Sequence, residues 1–172
     1  MELLCRELQL PQLPDGGLLQ LCSHLLGLTP ALSLSNASVL ARSLFLDRIR
    51  YLPSSASRLL RVALVSFCVK YTYAICRAVL CPLLQDPHVG PAQTELLCSL
   101  IKDESLEPDM QVQILGQVLE LAWREETSFL VLQTLLERQI TEQQSLDLAV
   151  ALEPNATFLK KALQAALRHV TH

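Results

Sequence analysis

The sequence predicts an all-α fold: an α-solenoid of antiparallel helical-repeat pairs, HEAT- or armadillo-like, with about ten short helices. Three observations predict it. Of the 172 residues 40 are leucine, whereas valine and isoleucine together number 16, so the apolar content is mostly unbranched at Cβ. Only 5 glycines are present and aromatics make up 5%, which disfavours the turns and strands of an all-β sandwich or barrel. Proline and capping residues then cut the chain into segments of about 9–16 residues, too short for a four-helix bundle that uses the whole length. A hydrophobic share of 51% excludes intrinsic disorder, and the length fits one domain over 1–172.

The first helix runs from Glu2 to Leu10 and is stopped by Pro11 and Pro14. Asp15 is placed to N-cap a second helix carrying Leu18, Leu19, Leu21, Leu25 and Leu26, with Gly27 as its exit. After Thr29-Pro30 a third begins near Ser35, with Val39, Leu40, Ser43, Leu44 and Leu46 on its apolar face and Pro53 as its breaker. Ser54 or Ser55 caps a fourth, reaching Val69 through Leu59, Leu60, Ala63, Leu64 and Phe67. Thr72 caps a fifth that Pro82 kinks or ends. Gly90-Pro91 opens a helix with Leu96, Leu97, Leu100 and Ile101, because a first turn accepts proline. Pro108 does the same for a helix through Val112, Leu115, Val118 and Leu119, and Glu125–Gln139 forms another. Thr141 and Gln144 fit a capping box, and Pro154-Asn155 leads into a last helix over 156–170.

Charge is distributed in zones. Residues 1–41 carry −2, 42–77 carry +6, 78–153 carry −10 and the remainder +3. The basic zone is the strongest case for nucleic acid, through Arg42, Arg48, Arg58 and Arg61, if these share one face. The same arginines also fit the polar faces of amphipathic helices, and aromatic interleaving is sparse. Direct DNA contact is therefore the lesser expectation. No apolar run reaches the length of a membrane span, and Glu2, Arg6 and Glu7 interrupt any leader-like start, so an intracellular, soluble chain is expected.

Catalytic chemistry finds little support. The six cysteines, at 5, 22, 68, 76, 81 and 98, form no C-x-x-C pair and sit in apolar runs, as small hydrophobes do. His24, His88, His169 and His172 lack zinc-motif spacing, and no phosphate-binding glycine loop occurs. No catalytic residue, metal, cofactor or small-molecule substrate is expected. Asn36-Ala-Ser38 and Asn155-Ala-Thr157 match a glycosylation sequon but fall where a helix needs an N-cap. In the last helix Leu159, Leu163, Ala166, Leu167 and Val170 form one stripe, with Phe158 about 100° away beside Lys161. Either a partner anchor or a staple-like contact to the preceding helix fits that position.

Four stretches carry a resemblance. ELLCRELQLPQLPDGGLLQLCSHLLGL, SNASVLARSLFLDRI, GPAQTELLCSLIKDESLEPD and ALEPNATFLKKALQAALRH look like the C-terminal domain of the Fanconi anaemia group E family. One departure stands out: TLLERQ passes directly into ITEQQSLDLAVALEP at Gln139–Ile140, where the family pattern carries about one more repeat unit. The resemblance implies a nuclear, non-enzymatic adaptor of the Fanconi anaemia core ubiquitin-ligase complex. Its implied partners are the group C subunit, other core-complex subunits, and the group D substrate that is monoubiquitinated in interstrand-crosslink repair. It also implies that Phe158, within Asn155–Leu159, belongs to the substrate-binding surface, with Thr157, Lys160 and Lys161 beside it.

Overall fold

The computed structural model describes residues 1–107 together with 110, 113 and 114. These are helical and contain no strand. Helix α1 spans Glu2–Glu7 and is followed by a 3-10 turn over Leu10–Gln12. Helix α2 spans Asp15–Leu26. Helix α3, Leu34–Ala41, continues through a π-helical stretch, Arg42–Leu46, into α4, Asp47–Arg50, so the three form one rod. Helix α5 is Arg58–Lys70. Helix α6, Thr72–Ile75, continues likewise through a π stretch, Cys76–Leu80, into α7, Cys81–Leu84. Helix α8 is Pro91–Lys102.

The all-α expectation holds for these residues, and the rods fall close to their expected spans. The helices expected from Pro108 onward lie outside the described residues. Several local assignments change. Asp15 does not cap α2; Pro14 takes the N-cap position, and the Asp15 carboxylate reaches Arg48 and Ser57 instead. Gly27 ends the helix in a right-handed conformation, φ −79°, without using the freedom of glycine. Ser57, not Ser54 or Ser55, caps α5 by accepting the Leu60 N–H at 3.1 Å. Thr72 is the first helical residue rather than the cap, and its hydroxyl donates to Cys68 O at 2.8 Å.

The π stretches have a packing consequence. Leu44, Phe45 and Leu46 are consecutive and all buried, as are Ala78, Val79 and Leu80. A rod that buries three successive side chains is apolar nearly all round, not along one stripe. The second π stretch also leads directly to Pro82, which begins the next turn instead of ending the rod. A proline ring there would crowd Ala78 O four residues back, and Ala78 lies in the widened turn.

Rods meet in alternation. Helix α2 packs on α5, α5 packs on α8, and α3 packs on α6 and the π stretch after it. One continuous core results, centred on Phe45 and Phe67, whose rings meet edge to face at 5.6 Å and 64°. Tyr71 stacks at a tilt on Phe67 at 5.1 Å and accepts the Leu32 N–H through its hydroxyl at 3.1 Å.

Arg48 fastens this core at one edge. Its Nη1 lies 3.1 Å from Asp15 Oδ1, its Nη2 donates to Leu13 O at 2.6 Å and Pro11 O at 3.2 Å, and its Nε donates to Leu44 O at 3.2 Å. Arg48→Met keeps the apolar stem but strands these acceptors. We expect about 1–3 kcal/mol lower stability in urea denaturation. A loss below about 0.5 kcal/mol, the range of ordinary surface changes, would show that the guanidinium is dispensable.

Candidate protein-interaction surface

The polar side chains gather at the two ends of the rods. At one end lie the starts of α2, α5 and α8 and the turn after α4. Here Asp15 joins Arg48 to Ser57, whose hydroxyl donates to Asp15 Oδ2 at 2.5 Å. Glu95 accepts from Ser55 Oγ and Arg61 Nη2, both at 2.8 Å, which ties α8 to α5. Gln93 donates to Arg50 O at 2.9 Å and Leu52 O at 3.3 Å while accepting the Gly90 N–H at 3.2 Å. Arg50 Nε faces Asp86 Oδ2 at 2.8 Å, an electrostatic contact rather than an aligned hydrogen bond. At the other end Lys70 donates to Leu26 O at 2.6 Å, meeting the carbonyl end of α2, where a cation is favoured.

These contacts set the carboxylates. The His88 backbone N–H, and then its ring and Arg50, hold Asp86 below the usual carboxylate range against the opposing effect of burial. The Ser55 hydroxyl and then Arg61 do the same for Glu95. They also decide what the basic zone can offer. Arg48 and Arg61, two of the four arginines considered for phosphate contact, are engaged within the chain, as are Arg50 and Lys70. Arg42, Arg58 and Arg77 are exposed.

Exposed apolar side chains are the feature that sequence reasoning missed. Leu3, Leu4 and Leu8 at the first helix are between 53% and 62% exposed, and Tyr51 after α4 is 74% exposed. Leu59, one of the apolar residues of the fourth predicted helix, is exposed, with Val62 one turn along α5. The signal was present: Leu60, Ala63, Leu64 and Phe67 already complete an i, i+3, i+4, i+7 stripe, which leaves 59 and 62 off it. An open hollow of about 700 Å³ between α5 and the end of α8 is lined, among the described residues, by the polar Arg61, Glu95, Ser99, Lys102, Asp103, Glu104 and Ser105. The proposed anchor Phe158, with Thr157, Lys160 and Lys161, lies outside the described residues.

All six cysteines are free thiols. Burial pushes Cys22 and Cys68 up from 9.0 to about 12, nearby Arg48 offsetting a little of this at Cys22. Burial first, then the neighbouring Cys68 and Cys81, raises Cys76 as well. Among the described residues no group of three or more His, Cys, Asp or Glu is placed to hold a metal ion. No described helix is long and apolar enough to cross a membrane.

Taken together, the described residues form an all-α assembly of short rods whose polar groups bind the rods to one another and whose exposed surface includes isolated apolar side chains. Comparison with known sequences is consistent with that class. The pattern of the Fanconi Anaemia group E protein FANCE family matches residues 1–141 and 139–171. The human Fanconi anemia group E protein is 56% identical over 212 aligned positions, covering 99% of this chain and 39% of the relative. The chain belongs to the Fanconi anaemia group E protein family. It spans well under half the length of its human relative.

The thiols give a direct test. At pH 8 a thiol with pKa about 12 has about a thousandfold less thiolate than one at 9.0, so Cys22 and Cys68 should alkylate about that much more slowly in the native chain than in urea. Because the folded pKa is the higher one, the unfolded chain loses these protons first. Stability present below pH 9 should therefore fall as the pH rises toward 12, and Cys68→Ala should flatten that slope. Equal native and denatured alkylation rates would contradict the burial.

Proposed function

We propose that this chain is the helical-repeat domain, C-terminal in the longer protein, of a non-enzymatic adaptor in the Fanconi anaemia pathway. In this reading it binds the group C subunit among other core-complex subunits in the nucleus. It recruits the group D substrate for monoubiquitination in interstrand-crosslink repair. The observation that carries the reading is the relatedness to the human protein along 99% of the chain. Two structural features support it: alternate-rod packing, which fits a solenoid of helical pairs, and polar groups committed to holding rods together.

Phe158 is the proposed substrate anchor, with Thr157, Lys160 and Lys161 around it. Phe158→Ala should weaken binding of the group D substrate by about 2 kcal/mol or more, roughly thirtyfold. The circular dichroism spectrum and the group C affinity should be unchanged. An unchanged substrate affinity would remove Phe158 from the surface.

The alternative, a nucleic-acid-binding module built on residues 42–77, has Arg42, Arg58 and Arg77 on the surface, with Arg48 and Arg61 drawn inward. Duplex binding titrated at two salt concentrations should show a log–log slope no steeper than about −3, the limit for three phosphate contacts. A steeper slope that Arg42→Gln and Arg58→Gln reduce would favour that alternative.

A further inference from the structure

Two neighbouring rods carry almost no negative charge. Between Gly16 and Gln85 the only acid in the sequence is Asp47, and Arg50 Nη1 lies 3.6 Å from its carboxylate at the end of α4. The rod made by α3 and α4 packs on the rod made by α6 and α7, and their two π stretches touch, with Cα atoms within 8 Å. Each stretch has one exposed residue, and in both it is an arginine. Arg77 stands between the buried Ala74, Ile75 and Cys76 and the buried Ala78, Val79 and Leu80. Arg42 follows the buried Leu40 and Ala41 and precedes the buried Leu44, Phe45 and Leu46, with Ser43 half-buried beside it. Two cations therefore stand at one level on adjacent rods. Among the described residues neither is paired with an acid, whereas Arg48, Arg50 and Arg61 all are.

Like charges on touching rods repel, and the apolar side chains around them weaken the screening that water supplies. Carboxylates relieve that repulsion best, because each can take two parallel N–H···O bonds from one guanidinium. Tyr73, 37% exposed, precedes Arg77 by four residues and so lies one turn away on the same rod. Arginine and tyrosine are the residue types from which binding hot spots are built. A nucleic-acid duplex fits this face less well. Arg58 belongs to α5, which packs with α2 and α8 in the other layer, so a duplex here meets two cations and gains a salt slope of only about −2. We infer that Arg42 and Arg77, flanked by Tyr73, form a docking site for an acidic segment of a partner protein. Its carboxylates bridge the two rods, and an apolar side chain of the segment lies on the Tyr73 ring.

The test titrates the full, isotope-labelled chain with three probes. One is a peptide in which aspartate and glutamate alternate with leucine, the second its asparagine and glutamine twin, the third a DNA duplex. Nuclear magnetic resonance follows the arginine Nε–H signals, assigned through Arg42→Lys and Arg77→Lys. The acidic peptide should move the Arg42 and Arg77 signals and leave that of Arg58 in place, and the uncharged twin should move none. Arg42→Gln combined with Arg77→Gln should weaken the acidic peptide about tenfold or more, with the circular dichroism spectrum unchanged. The two lysine replacements together should restore only part of the affinity, because an ammonium lacks the fork. Absence of peptide binding, or equal binding by the double glutamine variant, would overturn the proposal. So would a duplex that binds through the same two arginines more tightly than the peptide. Every residue in this site precedes Leu84, so the result is independent of Phe158→Ala.

Discussion

One guanidinium decides how the N-terminal half is assembled. Arg48 reaches from the rod formed by α3 and α4 to the first residue of α2 and to the carbonyls of the preceding turn. Through Asp15 it also reaches Ser57, the residue that caps α5. Four chain segments thus converge on one planar, permanently charged group whose fork matches several acceptors at once. A lysine ammonium, a point charge with no fixed fork, would not reproduce that geometry.

Leucine burial supplies the driving force of this fold but little of its uniqueness. Apolar contact is non-directional, and leucine faces slide past one another at small cost. Direction comes from the rod ends. Arg48, Gln93 and Glu95 fix the register where α2, α5 and α8 begin, and Lys70 and Tyr71 fix it where α2 and α5 end. A rod displaced by one turn would leave the Leu13, Leu26 and Arg50 carbonyls without their side-chain donors. Each such loss costs on the order of 1 kcal/mol or more.

How much of this was legible in the sequence depended on the range of the interaction. Proline, glycine and leucine spacing are local signals, and the starts of α5 and α8 followed from them within a few residues. The choice of Ser57 over Ser54 or Ser55 was not local. All three can cap, and what distinguishes Ser57 is Asp15, 42 residues away, which accepts a hydrogen bond from the Ser57 hydroxyl. The π stretches were likewise invisible, because a helical wheel assumes 100° per residue, on which the three consecutive buried residues Leu44, Phe45 and Leu46 span 200° and fit no single stripe. The basic zone was read as surface because charge counts carry no direction. Folding turned Arg48 and Arg61 inward onto acceptors far along the chain. Of the candidate site, Arg58 and Arg42 lie on the surface, whereas Phe158 lies outside the described residues.

The same packing rule indicates where function can be written on such a chain. A rod that faces neighbours on two sides has most of its circumference fixed by folding, and only an outward stripe is left to vary. On α2 that stripe includes the exposed Gln20, Ser23 and His24, as solvent contact alone would favour. On α5 it holds Leu59 and Val62 beside Arg58. Among the described residues Leu60, Ala63, Leu64 and Phe67 already fill the inward face. The pair, each member 43% exposed, lies outside the buried core of the described residues. Its chemistry matches the outward surface of an interaction protein rather than the inward needs of the fold.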